Sequence, residues 1–121
     1  MNDSVTVAVE VPVTLTEKDV RHFRDNLGFS IPLTLEREGT LTGHIDIVQI
    51  RYGMIHILDY KPNAKKIKPI EQLTIYALAL SRLTGLRLYH FKCAWFDDEH
   101  YSEFYPLHVV YKKKTGGAFM R

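Results

Sequence analysis

Residues 41–50 (LTGHIDIVQI) and 54–61 (MIHILDYK) are two runs rich in β-branched residues, with only Arg51, Tyr52 and Gly53 between them. That spacing favours a tight antiparallel hairpin, because two-residue loops need positive φ and glycine supplies it without steric cost. If Tyr52-Gly53 is the loop, Arg51 pairs with Met54. Carrying the register along the strands then sets Asp46 directly opposite Asp59. Opposed residues have β-carbons roughly 4.5–5.5 Å apart, so both carboxylates can reach one cation. Lys61, two residues beyond Asp59, projects from the same strand face.

Two facing carboxylates repel each other unless something compensates them. A hard divalent cation such as Mg²⁺ or Mn²⁺ uses their charge and keeps positions for water and a phosphate oxygen. Lys61 is then placed to stabilise charge on a phosphate or to help activate the attacking water. An Asp-x-Lys triplet alone is more often an ordinary surface ion pair of little energetic weight. Asp46, however, lies between Ile45 and Ile47, where a merely solvated aspartate has less reason to be.

Around this hairpin the pattern predicts further elements. Residues 5–15 read as a peripheral strand, with Pro12 marking an edge or bulge. A helix over 17–27 follows, with Thr16 as its cap, Asp19 at the capping-box position and Gly28 as its stop. Residues 33–36 read as a strand joined to 41–50 by a turn at 37–40. Pro62 ends the hairpin's second strand, and the basic link Asn63-Ala64-Lys65-Lys66-Ile67-Lys68 leads to a helix with Pro69 in its first turn and Gly85 at its end. Ile70, Leu73, Ala77 and Leu80 form its apolar stripe. Strands at 86–96 and 104–111, separated by a polar turn at 97–100, complete a β-α-β-β-β-α-β-β order. The fold class is α+β with a mixed sheet, in one domain spanning residues 1–121. The tail 112–121 reads as flexible and solvated.

Composition narrows the chemistry. Sixteen Lys and Arg against 14 Asp and Glu leave a formal charge of +2, so affinity for nucleic acid must come from local clusters. One cysteine, Cys93, cannot supply an intrachain disulfide or a four-cysteine zinc or iron–sulfur site. There is no basic, apolar leader and no apolar run of the roughly 18 residues a membrane span needs. The expectation is a cytoplasmic protein with no membrane partner.

Gly43-His44-Ile45-Asp46-Ile47-Val48 followed by Ile57-Leu58-Asp59-Tyr60-Lys61 resembles the G-h-I-D-h-h and h-h-D-Y-K strands of RecB-like nucleases, within the PD-(D/E)XK superfamily. Residues 72–80 (QLTIYALAL) are similar to the Q-x-x-x-Y helix that follows those strands in the same family. The resemblance covers about residues 33–95. It implies a restriction-endonuclease-like core, with a three-strand meander and flanking helices. It also implies catalytic roles for Asp46, Asp59, Lys61, Gln72 and Tyr76, and metal ligation by Asp46, Asp59 and the backbone carbonyl of Tyr60.

Gln72 and Tyr76 lie four apart on one helix face, off the apolar stripe. By the resemblance they hold a water network at the metal or the nucleic-acid backbone. Many relatives carry a further His or Glu before the first core strand. His22, Glu10 and Glu36 precede Asp46 here, and Glu10 or Glu36 is the candidate ligand. The lone cysteine separates the chain from Cas4-like relatives that carry an iron–sulfur cluster.

The implied activity is Mg²⁺- or Mn²⁺-dependent hydrolysis of DNA, as single strands or duplex ends, in repair or defence, alone or with a homodimer or helicase partner. The alternative is a weakly active or inactive module that keeps the fold and binds nucleic acid or another protein. Other features have plainer readings. His44 points to the face opposite Asp46 in a regular strand. Lys65, Lys66 and Lys68 fit a solvated loop as well as a phosphate contact. Tyr89, Phe91, Trp95 and Phe96 read as core or interface anchors, and Cys93 as a small buried residue. His56 and His90 lack metal-ligand spacing.

Overall fold

The computed structural model describes residues 4–31 and 39–111. Strand β1 (Ser4–Thr16) leads into helix α1 (Glu17–Leu27), and the hairpin follows as β2 (Thr40–Arg51) and β3 (Met54–Tyr60). Helix α2 (Ile70–Thr84) then crosses to β4 (Phe91–Phe96), β5 (Tyr101–Phe104) and the short helix α3 (Pro106–Val110). The five strands lie in chain order, β1-β2-β3-β4-β5. All neighbours are antiparallel except β3 and β4, which run parallel because α2 carries the chain back between them. The architecture is therefore α+β with a mixed sheet.

The loop at Tyr52-Gly53 has φ of 52° and 77° at its two residues, as a type I′ turn requires. Arg51 pairs with Met54, and the ladder runs to Ile47 opposite Leu58. Thr16 caps α1 through a complete capping box with Asp19, and Gly28 ends it in the left-handed region. Arg82 on α2 reaches back to the same aspartate at 3.0 Å, tying the helices together.

Helix α2 is buried far beyond its expected stripe. Leu73, Thr74, Tyr76, Ala77, Leu78, Ala79, Leu80 and Ser81 are all shielded, so the helix has little polar face along its middle. It packs across β1, β2 and β4. Ile45, Val48, Ile57, Phe91 and Cys93 meet it in one core. Ile45 and Val48 are three apart, which would place them on opposite faces of a regular strand. Both join that core, so the in–out alternation of β2 shifts phase between them. On β1 the pairing passes from Val11 opposite Ile45 to Val9 opposite Ile47, and Glu10, with φ of 52°, drops out of the ladder.

Several expectations change. The first strand of the meander is β1, with α1 inserted before β2; the strand at 33–36 and the turn residues 37–38 lie outside the described residues, as does the tail 112–121. The strand expected over 86–96 is confined to β4, and Leu88–His90 forms a 3-10 turn. The expected strand at 104–111 is instead the end of β5 followed by α3. Pro106 explains this, since it lacks the N–H a ladder needs and has the φ of a first helical residue. Pro69 stands one place earlier than expected, as the N-cap of α2. No helix among the described residues is long and apolar enough to cross a membrane.

Gly43 shows how closely α2 sits on β2. A Cβ built there would lie 2.6 Å from Cε1, 2.7 Å from Oη and 2.9 Å from Cζ of Tyr76. Gly43→Ala is expected to destabilise the fold by about 1–3 kcal/mol through overpacking. Tyr76→Leu in the same chain should recover part of that loss by removing the ring. Urea unfolding of both single variants and the double variant measures the coupling, and strict additivity would mean that the ring yields without cost.

Candidate functional site

The hairpin register brings Asp46 and Asp59 to the same end of the β2–β3 pair. The ladder stops at Ile47 opposite Leu58, and one step further Asp46 replaces a backbone partner with its side chain. Its Oδ2 accepts the Tyr60 N–H at 2.9 Å. Asp59 is 4% exposed and shares the inner strand face with the core residue Ile57. The Lys61 ammonium lies 2.9 Å from Asp59 Oδ2. That ammonium is the charged partner of the buried carboxylate. Burial first, and then neighbouring Asp46, push the Asp59 carboxyl above its ordinary range against the opposing pull of Lys61.

A buried carboxylate with a second carboxylate beside it can offer oxygen donors to a hard cation. The surroundings hold Lys61 in place from both sides. Its N–H donates to Phe96 O at 2.8 Å, continuing the β3–β4 pairing past the end of β3. The following turn is fixed at Ala64, whose N–H donates to Asp97 Oδ2 at 2.9 Å and whose carbonyl accepts from Trp95 Nε1 at 3.1 Å. Asp97 also accepts from the Glu99 and His100 N–H groups through Oδ1. From the sequence, Trp95 and Phe96 read only as core or interface anchors and Asp97 only as part of a polar turn, not as supports of this loop. The signal was the polar Asp97-Asp98-Glu99-His100 turn, but its link to residue 64 spans 33 positions and has no local signature.

Gln72 and Tyr76 meet each other, with Gln72 Nε2 donating to Tyr76 Oη at 3.0 Å. Tyr76 does not stand off from the apolar stripe as expected. It is 9% exposed, belongs to the core and packs on Gly43, three residues before Asp46. Gln72 is exposed in the first turn of α2. The two therefore form one unit in which the glutamine holds the tip of a core tyrosine.

Among the described residues, no set of three or more His, Cys, Asp or Glu gathers around a possible metal. Glu10 does not complete one. It lies on β1 at the level of Asp46, but its left-handed backbone takes it out of the ladder and it is exposed. Glu36 lies outside the described residues. His22 bonds Asn26 at 3.0 Å and lines a cavity with residues at the C-terminal end of α2. His44, Lys65, Lys66 and Lys68 are exposed. Phe91 and Trp95 are core residues, whereas Tyr89 is 65% exposed and Phe96 packs edge-on against Tyr60. Cys93 is fully buried, its thiol directed at the Leu73 carbonyl and pushed up in pKa by that burial.

The raised Asp59 carboxyl has a consequence for stability in chelator. Between its ordinary and its raised pKa, the folded chain keeps a proton that the unfolded chain has lost, so this group's contribution falls as pH rises through that window. Asp59→Asn removes the ionisation. Urea unfolding of the two chains in EDTA, from about pH 4 to about pH 7, should show the variant gaining stability relative to the unsubstituted chain as pH rises. A constant difference across that range would mean that Asp59 ionises in the fold as it does in water.

A profile of the PD-(D/E)XK nuclease superfamily matches residues 5–103. The match starts in β1, well before the motif-bearing stretch at 33–95, and runs into β5. A comparison with curated proteins found no match. All five strands, save the end residues Ser4 and Phe104, lie within the profile, and the hairpin sets Asp46 beside the Asp59-Tyr60-Lys61 strand end. The chain belongs to the PD-(D/E)XK nuclease superfamily, with a restriction-endonuclease-like fold.

Proposed function

We propose that this chain is a Mg²⁺- or Mn²⁺-dependent nuclease that hydrolyses phosphodiester bonds in DNA. The observation that carries the reading is the buried Asp59 carboxylate, paired with Lys61 at 2.9 Å and raised in pKa by burial and by neighbouring Asp46. Asp46 and Asp59 would hold the cation, with the Tyr60 carbonyl as the next donor along the chain. Such a cation supplies Lewis acidity, easing deprotonation of the attacking water and offsetting negative charge on phosphorus.

The remaining chemistry belongs to the protein's side chains. Lys61 has three donor hydrogens, and one directed at Asp59 leaves others for a non-bridging phosphate oxygen. That contact strengthens as negative charge grows in the transition state, which is what makes it catalytic. Gln72, exposed at the start of α2 and anchored on Tyr76, offers an amide to water or to the nucleic-acid backbone. The domain is small, which fits limited sequence recognition on single strands or duplex ends, in repair or defence, with a helicase or a second copy as partner.

A second reading is a binding or interaction module that keeps the fold without turnover. The two-carboxylate set among the described residues favours it. Incubation with linear and circular, single- and double-stranded DNA in Mg²⁺, Mn²⁺ or EDTA separates the readings. Cation-dependent cleavage supports the enzyme, and binding without cleavage supports the module.

Two substitutions then divide metal binding from chemistry. Asp59→Ala removes a ligand and is expected to weaken both Mn²⁺ affinity and cleavage. Lys61→Ala removes no ligand, so Mn²⁺ should still bind while the rate falls about 100- to 1000-fold, or roughly 2.7–4 kcal/mol. Isothermal titration and plasmid nicking on the same preparation test this. Undiminished nicking by Lys61→Ala would remove the lysine from the mechanism.

A further inference from the structure

The sheet has a second polar cluster on the face turned away from α2, and the nuclease reading does not use it. His56 lies between Ile55 and Ile57, both packed into the inner core, so its side chain emerges on the opposite face. Lys92 is its direct partner on β4 and alternates with the inward Cys93. Arg51 ends β2, while Glu103 and Tyr105 come from β5 and the residue that follows Phe104. With Tyr52 these side chains line a cavity of about 320 Å³. That is at the small end of the roughly 300–1,000 Å³ typical of ligand sites.

Two observations point to what the cavity takes. His56 is 7% exposed, and among the described residues its Nδ1 has no hydrogen-bond partner; neither has the buried Nε of Arg51. Buried polar groups left this way cost free energy that a ligand can recover. The charge is also lopsided. Glu103 lies 2.8 Å from Lys92 Nζ and offsets that ammonium, which stands 5.1 Å over the Tyr105 ring. Arg51 has no carboxylate of its own among the ion pairs of the described residues. Burial, with Arg51 and Lys92 nearby, holds His56 below its ordinary pKa. A bound anion would relieve both the missing partners and that excess of positive charge.

We propose that this cavity is a phosphate-binding site, which takes a phosphoryl dianion between Arg51, His56 and Lys92. Donors arriving from three adjacent strands suit a tetrahedral group with several acceptor oxygens better than a planar carboxylate, which one guanidinium fork already satisfies. The dianion is free phosphate or the terminal phosphate of a nucleotide strand, for which Tyr52, 77% exposed at the rim, offers a ring face to a base. The proposal does not depend on cleavage or on a divalent cation.

The test uses the full chain in EDTA and follows the His56 imidazole resonance by NMR, assigned by its loss in His56→Gln. Titrants are inorganic phosphate, a 5′-phosphorylated dinucleotide and the same dinucleotide without its terminal phosphate, at matched ionic strength. Phosphate and the phosphorylated dinucleotide should shift the resonance, and the unphosphorylated one should shift it far less. Tighter binding of the phosphorylated dinucleotide assigns the site to a strand end, and equal affinity assigns it to free phosphate. Arg51→Gln should weaken binding by about tenfold or more. Glu103→Gln, which removes the competing carboxylate, should strengthen it about two- to fivefold, a gain that misfolding cannot imitate. An unmoved His56 resonance, or affinity unchanged in both variants, overturns the proposal.

Discussion

The place where the chain reverses between β2 and β3 decides whether Asp46 and Asp59 can meet at all. A two-residue turn with positive φ at both Tyr52 and Gly53 permits one register, Arg51 against Met54. A slip of one residue would turn Asp59 to the outer face and leave Asp46 facing Leu58 or Tyr60. The core enforces the same choice, because Val48 and Ile57 are paired and both belong to it. Turn geometry and apolar burial thus select one alignment, and the carboxylate pair follows from it.

Register alone does not explain why the pair can sit at the end of a buried sheet. Ile45 and Val48 both reach the core, so β2 shifts phase across Asp46, and Glu10 leaves the β1 ladder with φ of 52° at the same level. Such a backbone costs a non-glycine residue of order 1–3 kcal/mol and persists only where the surroundings over-determine it. Here Val13 and Leu15 on one side, and Ala8 on the other, anchor β1 to the core. The Tyr60 N–H, two residues beyond Leu58 at the end of the ladder, is satisfied by Asp46 itself. The aspartate therefore closes the strand pair at the point where it also presents a carboxylate.

What the sequence revealed follows the range of the interactions involved. The hairpin, the capping box of α1 and the Asp46–Asp59–Lys61 constellation rest on contacts within a few residues or on a register set by a two-residue turn, so their patterns are local. Gln72 and Tyr76 were legible as a pair at helical spacing, but not Tyr76 as a core residue, because its environment depends on the absence of a side chain at Gly43, 33 positions earlier. The same limit hid the Ala64–Asp97–Trp95 support of the loop after Lys61. The misread strand at 104–111 was different in kind: Pro106 was local evidence, outweighed by the β-branched and aromatic content around it.

The site and the outer cluster together show how a net charge of +2 can mislead. Neighbouring positions of one strand divide the charges: Asp59, sharing an inner face with Ile57, sits by Asp46, whereas His56 points outward toward Arg51 and Lys92. A β-strand makes this separation without any extra element, because successive side chains leave opposite faces. The central strand β3 is shielded from His56 to Asp59, so each polar group on it sits among apolar neighbours, where charge is weakly screened. Asp59 is raised and His56 lowered, each moved toward its neutral form chiefly by burial. On the readings proposed above, each face would gain from a ligand of the opposite sign, a cation on the inner face and an anion on the outer one. A chain that looks almost neutral as a whole is in this way polarised across the thickness of a single strand.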